Sequence, residues 1–100
     1  MVIEVKVTFV GVLQRVVGCR EEVVRVSEET TLGGLLRQLV ARHGHVLEEH
    51  LLENGDLAAL VTILVNGRNA LSQGGLQARL SDGSESNVEI VVLGPPLMGG

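Results

Sequence analysis

Two alternating segments near the N-terminus, one stripe of leucines at helical spacing and a nearly continuous apolar run near the C-terminus predict an α+β domain, a mixed sheet with one main helix packed on it. The first segment places Ile3, Val5, Val7 and Phe9 on one face and Glu4, Lys6 and Thr8 on the other, the period of a half-buried strand. "GVLQRVVGCRE" follows as a connection with room for one helical turn, and Glu22 to Val26, rich in β-branched valine, reads as a second strand closing a hairpin.

In "TTLGGLLRQLVARHG" the period changes. Leu32, Leu35, Leu36, Leu39 and Val40 fall on one stripe of a helix, Thr30 or Thr31 can cap its start, and Gly44 can end it in the left-handed conformation. Gly33 and Gly34 each cost a helix roughly 1 kcal/mol, which implies that something packs closely across its first turn. "HVLEEHLLENGDLAAL" combines a short second helix with a turn at Asn54, Gly55 and Asp56. Val61 to Val65 is a third strand, and Asn66-Gly67 is a strong hairpin signal. In "LSQGGLQARLSDGSES", Gln77 to Leu80 is expected to pair briefly at a sheet edge. Val88 to Leu93 is apolar enough for a buried central strand beside the first. This β-β-α-β-β order is that of the β-grasp, or ubiquitin-like, architecture. It divides the chain into a domain, residues 1–94, and an extended tail, 95–100.

Composition excludes several classes of function. Hydrophobic residues make up 45% of the 100 residues, yet Phe9 is the one aromatic, so the core is built from Val and Leu. Eight basic against 12 acidic residues give a net charge of −4, with no basic cluster and no aromatic platform for bases, which argues against nucleic acid as a ligand. No apolar run approaches the roughly 20 residues of a membrane span, and the N-terminus lacks a signal-peptide pattern. The lone Cys19 rules out an intramolecular disulfide and fits a reducing compartment, so a cytoplasmic location is expected.

The sequence closes on "GPPLMGG". Pro95 and Pro96 cannot donate ladder hydrogen bonds and favour extended geometry, so the last strand stops there and the tail leaves the body. Leu97 and Met98 on such a tail suit partner contacts, and Gly99 and Gly100 allow the backbone into a narrow channel. The α-carboxylate, with a pKa of about 3.5, is a poor electrophile until activated. Adenylation by ATP makes it an acyl donor, and sulfide or a persulfide can displace AMP to leave a thiocarboxylate.

"PPLMGG" resembles the P-P-x-x-G-G terminus of the small, sulfur-carrying subunit of molybdopterin synthase and of the thiamine-biosynthesis sulfur carrier. "ILVNGRNALSQGGLQARLSDG", Ile63 to Gly83, and "TFVGVLQRVVG" resemble the body of the same group. The resemblance implies a β-grasp protein without activity alone. An E1-like adenylyltransferase activates Gly100, sulfur is installed as a thiocarboxylate, and the large synthase subunit, in a hetero-oligomer, uses it to build molybdopterin. No cofactor is bound in this scheme; the glycyl adenylate and the thiocarboxylate are covalent forms of the chain. Gly99 allows insertion, Pro95, Pro96, Leu97 and Met98 line the tunnel entrance, and Phe9 is a candidate for the apolar partner patch. The chain departs from the group's pattern in three places: "DGSESNVEIVVLGPP" carries extra residues, 84–87, Gly94 stands where many relatives have an aromatic, and Leu13 where a basic residue is common.

Competing readings are a protein-conjugating ubiquitin-like modifier, a carrier for tRNA or thiazole thiolation, and a plain β-grasp binding module. An enzyme acting alone is disfavoured. Cys19 lies in a predicted turn, and Ser72, Ser81, Ser84 and Ser86 lack a neighbouring His and Asp. His43, His45 and His50 match no zinc spacing, and neither Gly33-Gly34 nor Gly74-Gly75 belongs to a phosphate loop. The pairs Glu21-Glu22, Glu28-Glu29 and Glu48-Glu49 read as solvated surface.

Overall fold

Alternation in the first segment becomes strand β1, Val2–Val10, whose Ile3, Val5, Val7 and Phe9 are all buried while Glu4 and Lys6 face solvent. The computed structural model describes residues 2–81 and 87–94 of the chain. After a short helix α1, Val12–Val17, strand β2, Glu21–Ser27, returns antiparallel to β1 with Val5 opposite Val24. Helix α2, Leu32–His43, and helix α3, His45–Leu51, follow. The two-residue strands β3, Leu52–Glu53, and β4, Asp56–Leu57, form a separate small hairpin. Strand β5, Thr62–Val65, turns through Asn66 and Gly67, both at positive φ, into β6, Arg68–Asn69. Two single 3-10 turns, Ala70–Gln73 and Gly75–Gln77, precede the last strand, β7, Asn87–Leu93.

The main sheet has the order β2-β1-β7-β5-β6. β7 lies parallel to β1, with Val7 opposite Ile90, and antiparallel to β5, with Ile63 opposite Val92. The central position expected of the most apolar strand is thus realised, because both of its edges find ladder partners. Leu32, Leu35, Leu36 and Leu39 of α2 are buried against the inward face. Each such leucine stabilises the fold by about 1.5–3 kcal/mol relative to exposure.

Thr31 caps α2, its side chain accepting from the Gly34 N–H at 3.2 Å. The element packed across the first turn of this helix is Leu76. A Cβ on Gly33 would lie 3.1 Å from the Leu76 carbonyl oxygen, so glycine lets the 3-10 turn approach. Gln77 to Leu80 departs from expectation. Arg79 bridges antiparallel to Thr31, with the Leu32 N–H donating to the Ala78 carbonyl at 2.8 Å, so the segment pairs with the lead-in to α2 and not with the main sheet. Gly44 has a positive φ of 95° but an extended ψ of −176°, in place of the left-handed cap, because it must open α3 immediately.

Glu22 is also not the solvated carboxylate expected of its pair. It lies on the inward side of β2, where its oxygens meet Arg42 Nη1 at 2.8 Å and His43 Nε2 at 2.6 Å. His43 packs edge-on against Phe9 with ring centroids 6.3 Å apart, tying the end of α2 to the hairpin.

Two of the differences that the resemblance singled out, Gly94 and Leu13, touch one another. A Cβ on Gly94 would fall 2.8 Å from Leu13 Cγ and 3.0 Å from its Cδ1, and Leu13 is fully buried. Gly94→Ala is therefore expected to destabilise the protein by about 1–3 kcal/mol in urea unfolding. Because Leu13→Ala empties the space that the added methyl needs, Gly94→Ala should cost less in that background than in the wild-type protein, a coupling that a double-mutant cycle resolves.

Candidate functional site

The tail that the sequence singled out is delivered by β7. Because β7 runs parallel to β1 in the middle of the sheet, its C-terminal end emerges beside the start of α1. The Gly94 N–H donates to the Val10 carbonyl at 3.0 Å, one residue beyond the Val10–Leu93 pair, and Leu13 packs against Gly94 from the α1 side. The root of the tail is thus fixed by a backbone bond and a buried contact. Pro95, Pro96, Leu97, Met98, Gly99 and Gly100 lie outside the described residues.

Around this root the outer face of the sheet is apolar. Strand alternation sends Val10, Val91, Leu93, Thr62 and Leu64 outward, and the ladders put them side by side: Val10 beside Leu93, Leu93 beside Thr62, Val91 beside Leu64. Val10 is 40% exposed and the other four are half-buried. Thr8 continues the row beside Val91, and charge begins one step further along the strands, at Lys6 and Glu89. A neutral, partly apolar patch beside the end of β7 is a surface of the kind that protein partners cover.

Phe9 is not part of that patch. Only 1% of it is exposed, since its position in the alternation points it inward, under α2, and it is a core residue instead of a partner contact. The residues that form the patch were hidden from sequence reasoning. The signal was present in the outward positions of β5 and β7, where Leu64, Val91 and Leu93 stand at sites that strand alternation would otherwise fill with polar side chains.

Among the described residues no group of three His, Cys, Asp or Glu side chains gathers as metal ligands would. His45 instead sits beside Glu48 and Glu49 on α3, at 3.0 and 3.2 Å, and His50 Nδ1 lies 2.8 Å from the Val46 carbonyl oxygen. Cys19 is half-exposed near Arg15 with no disulfide partner. No helix of the described residues is long and apolar enough to cross a membrane.

The model of the ThiS family matches residues 7–100, almost the whole chain. The chain belongs to the ThiS family. Within this ThiS-family sequence the match includes β7, the tail and the patch-forming strands. The chain is 32% identical over 97 residues to small archaeal modifier protein 3 of Haloferax volcanii, covering 97% of this chain and 99% of that protein. Its fold resembles the solution structure of small archaeal modifier protein 1 from Methanosarcina acetivorans, with a TM-score of 0.74, 29% identity and coverage of 100% of this chain and 99% of the other. It also superposes on a Pyrococcus furiosus protein described as molybdopterin converting factor subunit 1, with a TM-score of 0.71 over 93% of this chain and 98% of that one; at 23% identity this likeness shows the fold alone. The ubiquitin-like β-grasp architecture and the sulfur carrier or modifier class are thereby established.

The assignment of faces has a direct test. Val91→Asp, on the outer patch, should lower stability by about 1 kcal/mol, whereas Val92→Asp places a carboxylate in the core and should cost well above 3 kcal/mol. Urea denaturation of the two variants compares them.

Proposed function

We propose that this ThiS-family protein works through an activated C-terminal glycine, as a sulfur carrier of the type that forms the small subunit of molybdopterin synthase. The observation that carries the reading is the family match running through β7 and on to Gly99 and Gly100. The anchored tail root and the apolar patch beside it support the reading, since they suit a partner that must hold the body and engage the tail together.

In this scheme the Gly100 carboxylate attacks the α-phosphate of ATP in an E1-like adenylyltransferase, giving a glycyl adenylate and pyrophosphate. A sulfide or persulfide sulfur then attacks the acyl carbon and AMP leaves. When the donor is a persulfide, a reductant must also cleave the S–S bond to free the thiocarboxylate. The large synthase subunit accepts the thiocarboxylate sulfur for the cofactor's dithiolene. The domain's own residues do no covalent chemistry: Val10, Leu64, Val91 and Leu93 dock, Pro95 to Met98 line the entrance, and Gly99 passes the constriction.

A second reading has a specific observation in its favour. The Haloferax relative, matched over nearly its full length, is named a modifier protein, so Gly100 would be joined to a lysine amine instead of receiving sulfur. Both readings share the activation step and part only at the acceptor.

Intact-mass measurement after incubation with an E1-like enzyme, ATP and a sulfur donor tests the shared step. A gain equal to replacing one oxygen by sulfur, located at Gly100, is expected. Leu64→Asp should slow that conversion about tenfold or more while leaving the fold intact, through loss of a buried apolar contact at the partner surface. Proteomics of cells carrying the tagged protein separates the acceptors: lysine adducts ending in Gly100 favour the modifier, and cofactor deficiency on deletion of Gly99 and Gly100 without such adducts favours the carrier. A folded protein that no E1-like enzyme converts would leave only a binding module.

A further inference from the structure

Strand β2 ends the main sheet on one side, and among the described residues β1 is its only extensive neighbour. The Phe9 N–H donates to the Arg20 carbonyl at 2.8 Å, and Phe9 lies opposite Arg20 in the register of the hairpin. Ladder alternation then gives the hydrogen-bonded pairs to Glu22, Val24 and Val26, and turns the backbone N–H and C=O groups of Glu21, Val23 and Arg25 away from β1. None of these three residues makes a backbone bond to another element among the described residues. The free edge stops at Ser27, whose carbonyl accepts from the Thr30 N–H at 3.0 Å. The side chains of the same three residues stand on the outer face, and Val23 is 53% exposed.

An edge left open in this way normally carries a device against pairing, such as a proline, a bulge or charge of one sign. Here the charges are of opposite sign and symmetrically placed, Glu21 two residues before Val23 and Arg25 two residues after it. Rotating the strand by a two-fold axis through Val23 sets Glu21 against Arg25 of a second copy, Val23 against its own equivalent, and Arg25 against Glu21. The three outward residues of each copy then exchange both backbone bonds with their opposites. The flanking ion pairs continue the pattern. Lys6 lies 3.6 Å from Glu21 and Glu4 lies 3.6 Å from Arg25, so the charges across the joint read Lys6, Glu21, then the second copy's Arg25 and Glu4, in alternating sign. A register slipped by two residues would lose both cross-strand ion pairs, so this register alone is self-complementary.

We infer that the β2 edge is a self-association surface at which two copies of this chain join antiparallel about Val23, continuing the five-stranded sheet of each into the other. The contact is isologous and closes at two copies, since it consumes the edge of both. Strand β7, which carries the chain to Gly94, stands two places in from this edge and takes no part in the joint.

Sedimentation velocity on the full chain, from micromolar to millimolar concentration, tests this with a charge exchange. The wild-type protein should pass from monomer to dimer as concentration rises, and the amides of Glu21, Val23 and Arg25 should gain protection from hydrogen exchange in step. Glu21→Arg alone sets two arginine pairs against each other across the joint, and Arg25→Glu alone sets two glutamate pairs; each should weaken association roughly tenfold or more. Mixing the two single variants, or combining both substitutions in one chain, restores opposite signs and should restore the dimer. Val23→Pro, which removes only an outward-facing N–H, should remain folded and monomeric. A wild-type chain that stays monomeric at millimolar concentration overturns the inference. So does a dimer indifferent to the single exchanges, or one in which those three amides stay unprotected.

Discussion

The constraint on which the structure depends is the parallel pairing of the first and last strands. Val5, Val7 and Phe9 on β1 stand opposite Val88, Ile90 and Val92 on β7, and all six are at most 1% exposed. Closing this pair brings together segments about eighty residues apart, a loop-closure cost that grows slowly with length but must be met before the contact returns anything. Its return is large because each strand gains a second neighbour, β1 holding β2 and β7 holding β5. Without it the N-terminal hairpin and the β5-β6 hairpin would be two marginal fragments.

The inward face of that sheet is closed by α2, and the helix is positioned from both ends. At its start Thr31 caps it and Leu76 crosses Gly33, so the stretch from Gly75 to Leu80 is packed onto the helix and its lead-in as a strap and not left as a free loop. At its end Glu22 gathers Arg42 and His43. Glu22 and His43 are largely shielded from solvent while Arg42 is exposed, so these contacts contribute modestly against the leucine stripe. With the helix held, Phe9 has no route to the surface, which is why the one aromatic belongs to the core.

Much of this was legible in the sequence, and for definite reasons. Strict alternation from Ile3 to Phe9 and the stripe Leu32, Leu35, Leu36, Leu39 each specify one face with no competing period, so β1 and α2 could be placed from residue types alone. Asn66-Gly67 fixed its hairpin because two successive positive φ values suit few other residue pairs. The failures are long-range. Nothing local in "GGLQARL" says that Arg79 will face Thr31, nor that Leu76 is the neighbour for which Gly33 makes room. Glu22 looked like surface because its partners lie twenty and twenty-one residues away. At the candidate site the tail was conspicuous while the patch was not, since half-buried Leu64, Val91 and Leu93 look like core until the ladder shows which way each one points.

The root of the tail shows how such long-range contacts bear on function. Against the pattern that the resemblance supplies, position 94 lacks a side chain and position 13 carries an apolar one; taken singly, these are two unrelated differences. In space they are one exchange, because Leu13 fills the volume that any side chain on residue 94 would need. An aromatic at 94 would have to expel Leu13 from a fully buried position, and a basic residue at 13 would bury a charge. The exchange is therefore absorbed between α1 and β7, underneath the outer face. It leaves Val10, Thr62, Leu64, Val91 and Leu93 presented by unbroken ladders, and it leaves the Gly94 bond to Val10 in place. Leu13 and Gly94 thus form a buried joint that holds the end of β7 against α1, beneath the outer patch.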